Sequence, residues 1–201
     1  GVGPFTLLLE TRADWLLRSA RRFERALSAA AAAGLRLAIF LVGIENFSQP
    51  ELDRFNKGIR AEDNVRFLDA LWRWKERHGP AFSLDHASFG FVLFTPWTRM
   101  EDLATNLTAI RRTRFDLLRG KILLSRLRLY PDTALYYLAR RDGLFADRYE
   151  NEHENSSRRY GYQPAQPWRF IHQEVAHFAA VAAEAVERTN GHDEVVLFQR
   201  L

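Results

Sequence analysis

Leu35-Arg36-Leu37-Ala38-Ile39-Phe40-Leu41-Val42-Gly43-Ile44-Glu45-Asn46-Phe47-Ser48 is an apolar run of strand length that stops in polar, loop-forming residues. A run this uniformly apolar predicts a parallel strand covered by helices on both faces, over residues 35–42. Upstream, Phe5-Thr6-Leu7-Leu8-Leu9 predicts a strand ending at Glu10-Thr11-Arg12. Asp14 suits the N-cap of a helix over 15–33, which Gly34 stops. Downstream, Ser48-Gln49-Pro50-Glu51 carries the signature of a capping box opening a short helix. A second helix over 61–77 has Val65, Leu68, Leu71 and Trp72 on its apolar side, with Trp74 a further candidate, and ends at Gly79-Pro80. A third strand is expected over 88–94, broken by Pro96, with Thr98 opening a helix over 99–114 that carries Leu103, Leu107 and Ile110. A fourth strand is expected over 122–129, followed by a helix over 134–141 that Gly143 stops. Residues 145–167 read as a long polar loop, 168–188 as a final helix, and 194–201 as a short strand or tail.

The order is strand then helix, four times over. Such alternation specifies an α/β fold whose strands form a parallel sheet with right-handed crossovers. Four βα units are too few for a closed barrel of about 250 residues. They fit an open sheet or part of a barrel, with residues 1–145 as the βα body and 146–201 as a C-terminal loop and helix. In parallel α/β folds ligands lie where strands deliver their carboxyl ends. Glu10, Glu45, Thr95 and Arg128 are therefore expected at a common rim.

With 201 residues the chain has the size of one domain, and 47% hydrophobic with 13% aromatic residues argues for a packed core against disorder. No apolar run approaches the roughly 20 residues a membrane helix needs. Gly1-Val2-Gly3-Pro4 does not resemble a signal peptide, so a cytoplasmic protein is expected. The net charge is +4, and apart from Lys57, Lys75 and Lys121 all 29 basic residues are arginine. The arginines are interleaved with acids along the helices, as a coding bias gives, and no nucleic-acid partner is inferred from them. There is no cysteine. That excludes disulfides, thiolate zinc sites, cysteine nucleophiles and thiolate-held iron–sulfur clusters within this chain. The chain does not begin with methionine, and a fragment, a processed product or a trimmed chain is expected.

The strand ends carry a family resemblance. Gly43-Ile44-Glu45-Asn46-Phe47-Ser48, with Leu52 and Arg54-Phe55-Asn56-Lys57-Gly58, is similar to the fourth-strand segment of radical S-adenosylmethionine enzymes, a Gly-x-Glu-x-x-Ser turn leading to Asn-Lys-Gly. Gly90-Phe91-Val92-Leu93-Phe94-Thr95-Pro96-Trp97-Thr98 resembles the fifth strand, in the altered form found in members that also carry a cobalamin-binding domain. Leu129-Tyr130-Pro131-Asp132-Thr133-Ala134-Leu135-Tyr136 looks like the sixth-strand end, and Glu10-Thr11-Arg12-Ala13-Asp14 like the third. The resemblance covers about residues 5–145. It implies a partial (β/α)6 barrel that binds S-adenosylmethionine, with a small-molecule or peptide substrate. The family's three-cysteine motif belongs after the first strand, and this chain aligns from the third. A 4Fe-4S cluster and cobalamin would therefore come from a missing N-terminal half or a partner chain. A split subunit and a degenerate, non-enzymatic relative are the other readings. A lone four-unit half also exposes a sheet edge, so a partner, self-pairing or altered packing is expected.

The resemblance implies that Glu10 faces the ribose hydroxyls and Arg12 the methionine carboxylate; the alternative is an ion pair at the rim. Gly43 lets backbone approach a ligand closely, and Glu45 can accept hydrogen bonds from an amine or from hydroxyls. Glu45 can instead cap the following helix, but Glu51 already serves there. Phe94, Thr95 and Pro96 can supply backbone contacts to adenine, or Pro96 can simply end the strand. Trp97 can cover a cofactor face or pack on a neighbouring loop. Arg128 and Tyr130 end the fourth strand, Tyr130 more as packing than as an acid. No metal site is inferred. His172 and His177 are five apart and do not share a helical face, and Glu152-His153-Glu154 and His192-Asp193-Glu194 read as solvated loop. Arg158-Arg159-Tyr160-Gly161-Tyr162 with Trp168-Arg169 can stack bases or pack across a barrel mouth. There is no nucleophile elbow and no phosphate-binding glycine loop.

Overall fold

The computed structural model describes residues 5–85, 87–118, 122–145 and 168–188. By compactness the chain divides into two units, Gly1–Phe91 with Thr105–Gly120, and Val92–Ala104 with Lys121–Leu201.

The first unit runs β1 (Thr6–Arg12), α1 (Ala13–Arg18), α2 (Ala20–Ala32), β2 (Arg36–Glu45), α3 (Gln49–Arg54), α4 (Ala61–His78), β3 (Phe82–Ser83) and β4 (Ser88–Phe91). β2 is central. It pairs in parallel with β1 along one edge and with β3 and then β4 along the other. Leu37, Ile39, Val42 and Ile44 of β2 are buried, as are Phe89 and Phe91 of β4. Phe23 of α2 packs edge-on against Trp74 of α4 (4.9 Å) and Phe82 of β3 (5.7 Å). Phe115 meets Phe47, Phe89 and Phe91 at 5.3–5.7 Å. Each such ring pair adds about 0.5–1.5 kcal/mol beyond its buried area. Trp72 Nε1 donates to the Thr113 carbonyl (2.8 Å), satisfying an acceptor that the end of α5 (Met100–Thr113) leaves open.

The other face of this sheet is covered only in part, at Ala38 and Ser83, which are buried. Leu8 is 57% exposed, and Glu10 and Ser88 are exposed too. Phe40, 48% exposed, is the residue a bulge leaves unpaired between Leu9↔Ile39 and Glu10↔Leu41. The expectation of a strand covered on both sides therefore holds for one side. The 15–33 helix is two helices, broken at Ser19, and Asp14 lies inside α1, paired with Arg18 instead of capping. Ser48 precedes α3 without a side-chain cap bond, and its N–H receives the Asn46 Oδ1 acceptor at 2.7 Å. Buried Glu51 pairs with Arg54 (2.9 Å).

In the second unit, the third strand bends after Phe91, and the fourth unit keeps its helix but only a remnant of its strand. Pairing there reduces to one parallel bridge, Phe94↔Arg126. The Leu93 and Phe94 N–H groups both donate to Ser125 O (2.9 and 3.0 Å), and Leu127 N–H donates to Phe94 O (2.8 Å). A turn closed by Ser125 N–H to Ile122 O (3.0 Å) uses the residues a longer ladder would need. α6 (Ala134–Arg141) is capped by Thr133, whose hydroxyl donates to Tyr130 O (2.7 Å) and accepts from Tyr136 N–H (3.3 Å). Thr133→Ala is expected to cost about 1 kcal/mol and to lower the thermal midpoint, followed by circular dichroism, by about 2–4 °C. The last helix among the described residues, α7 (Gln173–Arg188), starts later than expected because residues 168–172 are not helical, with Trp168 bridged to Phe145 and a bend at Ile171; it buries Val175, Ala179, Ala182 and Val186. Among the described residues no helix is long and apolar enough to cross a membrane. The expected loop over 146–167 and the segment 194–201 lie outside the described residues.

Candidate functional site

In the first unit the site is built around Glu45. It ends β2 at φ 64, a left-handed conformation uncommon for a side-chain-bearing residue. The Asn46 N–H donates back to Ile44 O (2.8 Å), closing a three-residue turn with Glu45 at its apex. A buried amide network holds that turn. Asn64 Nδ2 of α4 donates to both Ile44 O (2.7 Å) and Asn46 O (2.9 Å). Asn106 Nδ2 donates to Asn46 Oδ1 (2.9 Å), and Asn106 Oδ1 accepts from Phe47 N–H (2.9 Å). All three asparagines are fully buried. Backbone strain persists only where its surroundings over-determine it, and it gathers at ligand sites.

The turn sends the Glu45 carboxylate back over the sheet. Gly43 of β2 lies beside Gly90 of β4 in register. A Cβ on Gly43 would come within 2.5 Å of Glu45 Oε1, and one on Gly90 within 3.4 Å of the Gly43 Cα. Two facing glycines thus clear the space the carboxylate occupies. Lys57 Nζ pairs with Glu45 Oε1 at 2.8 Å. Lys57 stands between Asn56 (φ 51) and Gly58 (φ 61), so the Asn-Lys-Gly triplet supplies the two residue types that tolerate this backbone. Gln49 steadies the loop, accepting from Ala61 N–H (2.9 Å) and donating to Ile59 O (3.4 Å). Arg12 closes the group: its Nη2 donates to Lys57 O (2.7 Å) and its Nε to Asp14 (2.9 Å), and its guanidinium lies 5.3 Å from the Trp15 ring.

Arg12, Gly43 and Glu45 are therefore gathered at one end of the sheet. Arg12 is ion-paired at the rim with Asp14, and its Nη1 has no hydrogen-bond partner among the described residues. Glu10 is exposed on the open face, with no hydrogen bond or ion pair among the described residues. The sequence alone does not mark Lys57, Asn64, Asn106 or Gly90 as site residues. The register of Gly43 with Gly90 was the available signal, but it needs a strand alignment. Asn64 and Asn106 sit among many polar helix residues and carry none.

The remaining candidates lie in the second unit. Phe94 and Thr95 are fully buried and Pro96 is buried. The Phe94 N–H is taken by Ser125 O and the Thr95 N–H by Thr98 Oγ1 (2.8 Å), while Pro96 has none. This segment can accept a hydrogen bond from a ligand amine through a carbonyl lone pair, but it has no free backbone donor. Trp97 is buried, with Nε1 donating to Asp142 (2.9 Å), which makes it a packing residue. Arg128 is exposed; Tyr130 is 39% exposed, and its carbonyl serves the Thr133 cap. His172 lies 3.7 Å from Glu174. Among the described residues no group of three or more His, Asp or Glu could hold a metal ion. Trp168 is buried and donates to Leu127 O (2.9 Å), and exposed Arg169 donates to Gly143 O (2.6 Å); residues 158–162, with 152–154 and 192–194, lie outside the described residues.

No family model matches the chain, and no curated protein matches it. Solved structures do. The apo, selenomethionine-labelled cobalamin-dependent S-adenosylmethionine radical enzyme OxsB matches 92% of this chain with a TM-score of 0.59 at 16% identity. The same enzyme with aqua-cobalamin bound gives 0.57 at 16%, and with aqua-cobalamin and S-adenosylmethionine bound 0.54 at 15%, again over 92% of this chain. The chain spans 28–29% of the length of those enzymes. At this identity the likeness is one of fold: an α/β chain with a parallel sheet, shared with part of a cobalamin-dependent radical enzyme. The motifs read from the sequence point to the same fold.

Proposed function

We propose that this chain is the C-terminal part of the catalytic barrel of a cobalamin-type radical S-adenosylmethionine enzyme. The observation that carries the reading is Glu45, held in a strained turn over the Gly43–Gly90 cradle on an open sheet face, in a chain that shares its fold with OxsB. Glu45 presents a carboxylate to the ammonium or ribose hydroxyls of S-adenosylmethionine. Arg12 offers a guanidinium N–H to a ligand carboxylate. Lys57 neutralises Glu45 until a ligand amine takes its place. S-adenosylmethionine, cleaved by a reduced 4Fe-4S cluster, would supply the radical for methylation or rearrangement at an unactivated carbon of a small molecule or peptide. The cluster's thiolate ligands must come from another segment or chain, because this sequence has no cysteine. The chain alone is thus a binding half without the radical chemistry, in a cytoplasmic enzyme.

The partner surface we propose is the outer edge of β1. Among the described residues nothing pairs with it, and Phe5, Leu7 and Leu8 are exposed by 44–57%. A further parallel strand, from the cluster-bearing half, would pair there and cover both faces.

Titration calorimetry of the purified chain with S-adenosylmethionine tests the reading. Saturable binding with a Kd of about 1 mM or tighter is expected, weakened at least about tenfold by Glu45→Ala. Absence of saturable binding, or binding indifferent to Glu45, would favour a non-enzymatic α/β scaffold that keeps only the shape. A Cys-x-x-x-Cys-x-x-Cys motif upstream in the same reading frame would favour the enzyme.

A further inference from the structure

Arg126 is the one guanidinium of the second unit that lies against two aromatic rings and, among the described residues, has no acceptor. It stands 5.8 Å from the centre of the Phe94 ring and 5.7 Å from that of Phe170. Those rings are 6.0 Å apart and nearly perpendicular (86°), so they form a corner. Trp168 extends it on the Phe170 side (4.9 Å) and Phe178 on the Phe94 side (6.3 Å). The backbone beneath is pinned by the Phe94↔Arg126 bridge and the Leu127-to-Phe94 hydrogen bond. Arg126 itself is partly buried, and burial lowers its pKa from the usual arginine value.

An arginine carries five N–H donors. Other partly buried guanidiniums here use theirs: Arg12 on Asp14 and Lys57 O, Arg54 on Glu51. The nearby Arg169, though exposed, donates to Gly143 O at 2.6 Å. Arg126 spends none on any described residue. Ring faces offset part of the cost of desolvating a cation, but they do not satisfy its donors. A half-buried guanidinium set against two rings, with no acceptor among the described residues, is therefore arranged for an anion that arrives from outside, and its planar fork matches an oxyanion.

We propose that Arg126 is an oxyanion-binding residue: it takes the carboxylate or phosphate group of a small-molecule ligand, with Phe94 and Phe170 fixing the plane of its guanidinium. This stands on the geometry of the second unit alone and does not depend on the S-adenosylmethionine reading.

The test is thermal melting of the full chain against inorganic phosphate, methyl phosphate and acetate, each at matched ionic strength, for wild type, Arg126→Met and Arg169→Met. Wild type is expected to gain stability saturably with at least one probe. Arg126→Met should weaken that response by about tenfold or more, and Arg169→Met should keep it. Without probe, Arg126→Met should melt no lower than wild type, because an unsatisfied charge has been removed. A response to the phosphates alone identifies a phosphate ligand, and one to acetate a carboxylate; either supports the assignment. No saturable response in wild type, or an equal response in Arg126→Met, overturns it. So does an Arg126→Met chain that melts well below wild type with no response in either protein, because Arg126 then serves an acid of its own chain.

Discussion

Asn64→Leu is expected to remove about 3 kcal/mol of stability, read as a lower midpoint of urea unfolding. The substitution keeps the branched shape and adds no charge, so the loss reports chiefly on two hydrogen bonds. Asn64 Nδ2 donates to Ile44 O and Asn46 O, the carbonyls on either side of Glu45. Both acceptors sit in a fully buried environment, where no water replaces the lost donor. Losing a buried hydrogen bond costs about 1–3 kcal/mol, and two are lost here, although Ile44 O keeps the Asn46 N–H. Asn64 already leaves its own Oδ1 without a partner, a cost the fold tolerates for the sake of the two bonds. Asn64→Asp should be at least as damaging, because it sets a carboxylate against two carbonyl oxygens. The same change should free Glu45 from φ 64 and weaken ligand binding beyond what the stability loss explains. A drop of less than about 1 kcal/mol would show that the turn holds itself, and the amide clamp would lose its role.

How much of this was legible in the sequence depended on the range of the interaction. The order of elements followed from local patterns, and the parallel sheet followed from the order. Glu45 stood out because it follows a glycine at the end of an apolar run. Its partner did not. Lys57 belongs to a loop one helix further on, and only the paired left-handed residues Asn56 and Gly58 bring it back. The amide network is less visible still, since Asn46, Asn64 and Asn106 are joined only by the fold. The capping box at Ser48 was misleading for a related reason: Asn46 takes the Ser48 N–H, and Arg54 takes Glu51. The fourth strand shows the limit of composition. Residues 122–129 have strand-like residues throughout, yet a local turn at Ile122–Ser125 competes for the same backbone groups and leaves one bridge. Arg126 and Arg128 look alike in the sequence, two residues apart. Only the placement of Phe94 and Phe170 separates them.

The largest effect in solution is expected at the free edge of β1. Its residues alternate between the helix-covered face, where Leu7 is 46% exposed, and the open face, where Leu8 is 57% exposed. A strand apolar on both faces is the composition of a sheet interior, yet among the described residues this one pairs along a single edge. Proteins guard such edges with lysine, proline or a bulge. The bulge here is in β2, at Phe40, so the outer edge of β1 is left unguarded. At about 50 µM the isolated chain should therefore associate, as unpaired apolar edges do, and sedimentation velocity should show dimers or larger species. Leu8→Lys should weaken that association by more than about 100-fold, through one buried charge and one lost apolar contact per copy. Its melting temperature should stay within the small range typical of exposed positions, because Leu8 gives the monomer little. Leu27→Lys, at a fully buried position of α2, would instead unfold the unit. A wild-type chain that stays monomeric at this concentration, indistinguishable from Leu8→Lys, would mean that the edge needs no cover, and the proposed docking of a cluster-bearing half along β1 would lose its physical basis.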